Sequence, residues 1–170
     1  MKKLILLTGQ EGAGKTTIAK HILPHLKKGA SFDAENILQV NPFIYNKKFQ
    51  ELAIRNSVDL INNFYNAGYT TVVAGSFFGD IKGYESLKKK LKYKCKTYIV
   101  YLSASKTVRD KRRLKRNKPT TKKMMDWIDK NHPKDTTLMN TKKDYVYIEI
   151  DNSNLSLQKT IRKLLKTTSV

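Results

Sequence analysis

The sequence predicts an α/β protein in three layers, a five-stranded parallel sheet with helices on both faces. Two observations predict it. Short apolar runs alternate with helical patterns five times along the 170 residues, and the runs are nearly continuous, as in strands buried on both faces. Right-handed crossovers between parallel strands then place helices on both sides of the sheet.

Taken in order, Lys3 to Thr8 is the first strand and Gly14 to about Lys27 the first helix. Ala30 to Asp33 is a short strand, followed by a long helix from about Lys47 to Ala67. Thr70 to Ala74 is the third strand, with a helix around Tyr84 to Leu91. Thr97 to Leu102 precedes basic helices from Lys106 to Asn131, and Tyr145 to Ile150 precedes a helix from Leu155 to Leu165. No repeat or low-complexity linker divides the chain, and 39% hydrophobic content suffices for one core, so residues 1–170 are expected to form a single domain.

Composition narrows the function classes. The longest aliphatic stretch, Leu4 to Leu7, is far below a membrane span, and no signal-peptide cleavage pattern follows it, so a cytoplasmic protein with no membrane partner is expected. A lone Cys95 excludes an intramolecular disulfide and a cysteine-rich metal site. The net charge of +20 calls for an anionic partner or substrate. Lys82 to Lys134 carries 19 Lys or Arg against four acids, +15 of that excess. That stretch holds few free aromatics for base stacking, so only weak, non-specific nucleic-acid binding is expected of it.

The chemistry-bearing motif is Gly9-Gln-Glu-Gly12-Ala-Gly14-Lys15-Thr16, which fits G-x-x-x-x-G-K-[ST] between the first strand and the first helix. Glycines let the backbone curl so that N–H groups from Gly9 through Gly12, Ala13, Gly14, Lys15, Thr16 and Thr17 face phosphate oxygens. Lys15 is expected on the β/γ-phosphates and the Thr16 hydroxyl on Mg²⁺, so ATP and Mg²⁺ are the expected cofactors. A GTPase is disfavoured. Asp80-Ile-Lys-Gly83 begins six residues past the strand-like Ala74, and Asn117-Lys118-Pro119-Thr120 lacks the Asp that reads guanine. Large motor ATPases close an apolar strand with Asp-Glu, where this chain has Gly75-Ser76.

Beyond the loop, the chain resembles the small-kinase branch of phosphate-loop proteins, the nucleoside-monophosphate, shikimate and gluconate kinase-like family. Ser31-Phe-Asp33, Val72-Val-Ala-Gly75-Ser76, Tyr101-Leu-Ser-Ala-Ser105, an arginine-studded segment and Ile150-Asp151-Asn-Ser-Asn154 carry the resemblance in family order. It implies the P-loop kinase fold and an ATP-dependent phosphotransferase acting on a small-molecule or nucleotide acceptor. Asp33 matches the carboxylate that binds Mg²⁺-coordinated water or accepts the acceptor's proton, and Glu35 stands two residues away. The segment at about 106–131 corresponds to the lid. Its Arg109 and Arg113 are implied nucleotide contacts, and Arg112 and Arg116 are implied to neutralise charge on the transferring group. At helical spacing these arginines share one face, so at least two are expected to reach ATP together.

Asn152 and Ser153 are implied beside the adenine, and Arg55 and Gly75 beside the acceptor. Trp127 with Met124, Met125 and Ile128 reads as the apolar side of a lid helix, and His21, His25 and His132 as surface. The third strand lacks the common acidic residue and there is no set of three substrate arginines as for shikimate, so the acceptor stays unnamed. A polynucleotide 5′-kinase or nucleic-acid-binding ATPase, and a non-catalytic nucleotide-binding protein, are the competing readings.

Overall fold

A computed structural model describes residues 1–76, 80–116, 120–134, 136–139 and 144–170. The Asn117-Lys118-Pro119 portion of the guanine-motif fragment lies outside the described residues. The elements are β1 (Lys2–Thr8), α1 (Lys15–His21), β2 (Gly29–Asp33), α2 (Lys47–Asn66), β3 (Thr71–Gly75) and α3 (Ile81–Lys90), then β4 (Cys95–Ser103), α4 (Lys106–Leu114), α5 (Lys122–Asn131), β5 (Tyr145–Asp151) and α6 (Leu157–Thr168). All strand pairings are parallel, in the order β2-β3-β1-β4-β5.

Strand alternation divides the apolar residues between two cores. Leu4 and Leu6 of β1, with Val72, Ala74 and Ile99, pack under Val58 and Ile61 of α2 and Tyr84 and Leu87 of α3. Ile5 and Leu7, with Val73, Val100 and Leu102, pack under Ile18 of α1 and Ile161 and Leu164 of α6. Both faces of the central strand are therefore buried, which explains the uninterrupted run Leu4 to Leu7. The switch in strand order on either side of β1 opens a crevice beyond the strand C-termini, where the phosphate-binding motif lies.

The boundaries move for local reasons. The first helix stops at His21, and Leu23–His25 forms a separate 3-10 turn, because Pro24 has no N–H to continue the helical ladder. The third helix starts at Ile81, earlier than Tyr84, because the Asp80 side chain accepts from Gly83 N at 2.8 Å and caps it. The expected apolar lid face is also different: in α5 only Met125 is buried, while Trp127 is 60% exposed and Met124 is exposed too. α5 packs through Met125 and Asp129, leaving Trp127 to a cleft described below. Among the described residues no helix is long and apolar enough to cross a membrane.

Candidate active site

Among the described residues, five of the six α-helices begin with a side-chain cap. Asn46, Asp80, Ser105, Thr121 and Ser156 each accept from the N–H three residues on. The exception is α1, which opens on Gly14 in the left-handed region at φ 98° with no side-chain cap. The Thr17 N–H thus lacks the side-chain acceptor that each of those five helices supplies at the same position, and the N–H groups of Lys15 and Thr16 lie beside it in the first turn. Thr16 is half-buried and Thr17 exposed.

The loop ahead of α1 is compressed between β4 and α4. A Cβ on Gly9 (φ 133°) would lie 2.2 Å from the Leu102 carbonyl oxygen, and one on Gly12 (φ 83°) would lie 2.8 Å from the Arg109 carbonyl oxygen. Only glycine fits either position. Every carbonyl from residue 9 to residue 13 accepts a hydrogen bond from a side chain. Lys15 Nζ donates to Gly9 O (2.7 Å) and Gln10 O (3.2 Å). Arg113 (2.9 Å) and Arg109 (3.4 Å) donate to Glu11 O. Arg112 donates to Gly12 O (3.4 Å), and Asn152 Nδ2 to Ala13 O (2.8 Å). Tying the carbonyls to these donors fixes the loop's backbone conformation without help from a ligand.

The three arginines of α4 and Arg116, just past its end, therefore divide. Arg113, 1% exposed, and Arg109 are buried, and both bond Asp129 Oδ1 of α5, at 2.5 and 2.7 Å. Burial pushes the Asp129 carboxyl up, but the two guanidinium groups outweigh it and hold the carboxyl below its ordinary value. Arg112 is half-buried and bonds Asn152 through both Oδ1 (2.8 Å) and the backbone carbonyl (3.0 Å). Arg116 is exposed and pairs with Glu11 Oε1 at 3.2 Å. The expected shared face thus does not present all four to solvent, because Asp129 draws two of them into the interior.

Behind the loop, β2 and β3 place Asp33 opposite Gly75. Asp33 is buried; its Oδ1 accepts from Glu35 N (3.0 Å) and its Oδ2 from the Ser76 hydroxyl (3.1 Å). Ser76 takes up the left-handed region at φ 53°, uncommon for a non-glycine residue, where the third strand lacks an acid. Glycine at Gly75 clears the protein's own interior: a Cβ there would meet Ala19 Cβ at 2.9 Å and Asp33 Oδ2 at 3.0 Å. Burial lowers the Lys15 pKa, against attraction from Glu35 first, then Asp33 and Glu11; the Arg116 charge lowers it further.

Glu35 is exposed and, with Lys15, Gly9 and Ser76, lines a cleft of about 1200 Å³. Arg55 is exposed on α2 but off the cleft wall, which α2 supplies through Lys47, Gln50, Glu51 and Ile54. Asn152 is buried and Ser153 bonds Asp151 Oδ1 at 2.6 Å; both stand behind the loop beside Arg112. The sequence reading missed Glu11, Asp129 and Ser76, which are unremarkable until contacts many residues apart are known. It also missed an aromatic wall: Phe43 and Tyr45, ahead of α2, with Trp127 and His132 at α5. Phe43-Ile-Tyr45, an apolar group outside any predicted element, was the available signal.

No family model matches the chain, and no curated protein matches it in sequence. Solved structures match over nearly its whole length. A sugar kinase from Janibacter sp. HTCC2649 has a TM-score of 0.69 at 16% identity, covering 98% of this chain and 93% of that one. The chain has the P-loop kinase fold. A gluconokinase from Sinorhizobium meliloti 1021 has a TM-score of 0.65 at 11% identity, covering 98% of this chain and 91% of that one. A tunicamycin resistance protein from Deinococcus radiodurans has a TM-score of 0.67 at 16% identity, covering 100% of this chain and 97% of that one. The P-loop kinase fold accounts for the strand order and for the position of the glycine-rich loop after β1.

Proposed function

We propose that this protein is an ATP-dependent phosphotransferase that moves the γ-phosphoryl group to a hydroxyl of a small-molecule acceptor. The observation that carries the reading is the contrast at the helix starts. Five helices are capped by their own side chains, while α1 follows a glycine loop whose carbonyls are tied to side chains and whose helix start is uncapped. A polyphosphate supplies acceptors for those free donors, and Lys15 lies beside them.

Roles follow from position. Lys15 leaves Gly9 O and Gln10 O to meet the β- and γ-phosphates, and Arg116 exchanges Glu11 for the charge that develops on the transferring group. Arg109, Arg113 and Asn152 act through the loop by holding its carbonyls, while Arg112, braced on Asn152, borders the nucleotide with Ser153. Among the described residues no three His, Cys, Asp or Glu side chains cluster as a metal cage. Mg²⁺ needs none, because it takes phosphate oxygens, water and one or two protein oxygens, and the hydroxyl of Thr16 with Asp33 or Glu35 is a donor set of that kind. Bound there, Mg²⁺ would offset phosphate charge. The acceptor hydroxyl forms its bond to the γ-phosphorus as the bond to the β–γ bridging oxygen breaks; ADP leaves, and the hydroxyl proton passes to Asp33 or Glu35.

The small-acceptor reading is preferred to a polynucleotide because Tyr84, Tyr98 and Tyr101 of the basic stretch are buried and cannot stack on bases, and because part of its charge is already paired. Lys106 bonds Asp110 and Asp126, Lys88 bonds Asp144 and Lys134 bonds Glu149, in addition to the buried arginines. What remains supports weak, salt-sensitive nucleic-acid binding. The deciding experiment follows γ-labelled ATP in the presence of nucleosides, sugars, sugar acids and 5′-OH oligonucleotides. Label in a small alcohol supports the reading. Label confined to oligonucleotide ends replaces it with a polynucleotide kinase, and ATP binding without transfer replaces it with a nucleotide-binding protein.

A further inference from the structure

Opposite the phosphate loop, the same cleft is walled by four rings from two parts of the chain. Phe43 and Tyr45 precede α2, and Trp127 and His132 lie on α5 and just after it. The side chains are supported yet open. Phe43 and Tyr45 rest on Phe49 (ring centroids 5.0 and 6.0 Å), and Tyr45 and Trp127 both meet His132, at 6.2 and 6.3 Å. Even so, Phe43 stays 63% exposed, Tyr45 49% and Trp127 60%. Rings left open to water in a concave site beside the reacting groups are the usual lining of a ligand pocket.

This wall does not serve the adenine. Arg112, Asn152 and Ser153 stand behind the phosphate loop and line no part of the cleft, whereas α2 contributes Gln50 and Ile54 to it. Of the lysines that line the cleft beside Lys15, Lys47 and Lys134 have a carboxylate partner and Lys82 has no ion pair among the described residues, so the rings and not the cations bear on the acceptor. Lys47 faces Glu51 at 4.0 Å and Lys134 bonds Glu149 at 2.7 Å.

We infer that the acceptor is an alcohol that carries a planar aromatic ring, stacked among Phe43, Tyr45 and Trp127 with its hydroxyl directed to Lys15 and Glu35. This rests on the phosphotransferase reading for the hydroxyl's fate, but the ring recognition stands on the wall alone. Aromatic side chains favour a planar π partner in offset or edge-on packing, and they immobilise it at low entropic cost. A nucleoside and an aryl glycoside both present this chemistry.

Trp127 is the single tryptophan of the chain, so its emission reports on the wall directly. The full chain, saturated with Mg²⁺ and a non-hydrolysable ATP analogue to fill the nucleotide site, is titrated with adenosine, uridine, phenyl β-D-glucoside, 2-phenylethanol, D-glucose and D-gluconate. At least one ring-bearing alcohol should change the emission saturably and bind at least tenfold tighter than both ring-free compounds. Tyr45→Leu, which keeps an apolar contact on Phe49, should weaken that binding about tenfold with the far-UV circular dichroism unchanged. Equal or tighter binding of glucose or gluconate, no saturable change with any ring-bearing alcohol, or unaltered binding in a folded Tyr45→Leu variant overturns the inference. The nucleoside and aryl arms identify the source. A ring-bearing alcohol that binds but accepts no label from γ-labelled ATP upholds the wall and refutes the transferase reading. Labelled glucose or gluconate with no ring-bearing compound bound does the reverse.

Discussion

The two walls of the cleft are finished to different degrees. On the phosphate-loop side every carbonyl from Gly9 to Ala13 has a side-chain donor, and the two least exposed arginines share one carboxylate. On the facing side the rings of Phe43, Tyr45 and Trp127 touch one another's supports but stay about half or more exposed. One wall is held by its own hydrogen bonds, and the other carries the open apolar area that the proposed acceptor would cover. Electrostatic catalysis favours the first kind for the backbone N–H donors of the loop, whereas Lys15 and Arg116 must first leave Gly9, Gln10 and Glu11 in the proposed reaction. Acceptor choice is served by the second.

The largest expected effect breaks the finished wall at its charge. Lys15→Ala should lower kcat/KM about a thousandfold, the scale of removing a cation from a transferring phosphoryl group. The fold should persist by circular dichroism, because Lys15 contributes two hydrogen bonds at the rim of the loop and none to the core. A folded variant with unchanged turnover would show that the loop does not bind ATP in the proposed way.

Next comes the carboxylate that organises that wall. Asp129→Ala leaves Arg109 and Arg113 buried without their shared partner, a loss of about 3 kcal/mol for a broken buried pair. Denaturant unfolding at neutral pH measures it. The sign with pH follows from the lowered Asp129 pKa: its stabilisation is fully present above the ordinary value of 3.8 and is lost as pH falls through the depressed folded value. The difference between wild type and Asp129→Ala should therefore shrink below about pH 4. A difference that holds constant into strong acid would count against a charge-based clamp.

Asp33→Asn tests the chemical step with less disruption, because the shape and both hydrogen-bonded positions remain. A loss of about a hundredfold in kcat is expected if Asp33 accepts the proton. Should Asp33→Asn stay active while Glu35→Gln loses that factor, the exposed carboxylate two residues on is the base. Hydrogen exchange then sharpens the contrast between walls. On adding an ATP analogue, protection over residues 106–131 should rise less around Arg109, Arg113 and Asp129, which are already joined, than over the rest of the segment. Equal protection with and without the analogue would argue for a fixed basic surface in place of a lid.

The smallest effect is expected at Arg55. It lies off the cleft wall, so Arg55→Ala should change kcat and KM by no more than about twofold, the scale of an ordinary surface substitution. A tenfold rise in KM for the acceptor would place the acceptor on the outer face of α2 and weaken the case for the aromatic wall.

Features whose causes are local were legible in the residues themselves. The five apolar runs, the glycine loop with Lys15 and Thr16, and Asp33 at the end of the second strand each follow from neighbours a few positions away, through backbone sterics, strand burial and helix starts. Long-range pairing was not legible. The sharing of Asp129 by Arg109 and Arg113, the support of Asp33 by Ser76 43 residues later, the turning of Trp127 away from the core and the meeting of Tyr45 with His132 needed the folded chain. Helical spacing places Arg109, Arg112 and Arg113 on one side of α4, but only the helix packed against it decides which of them water can reach.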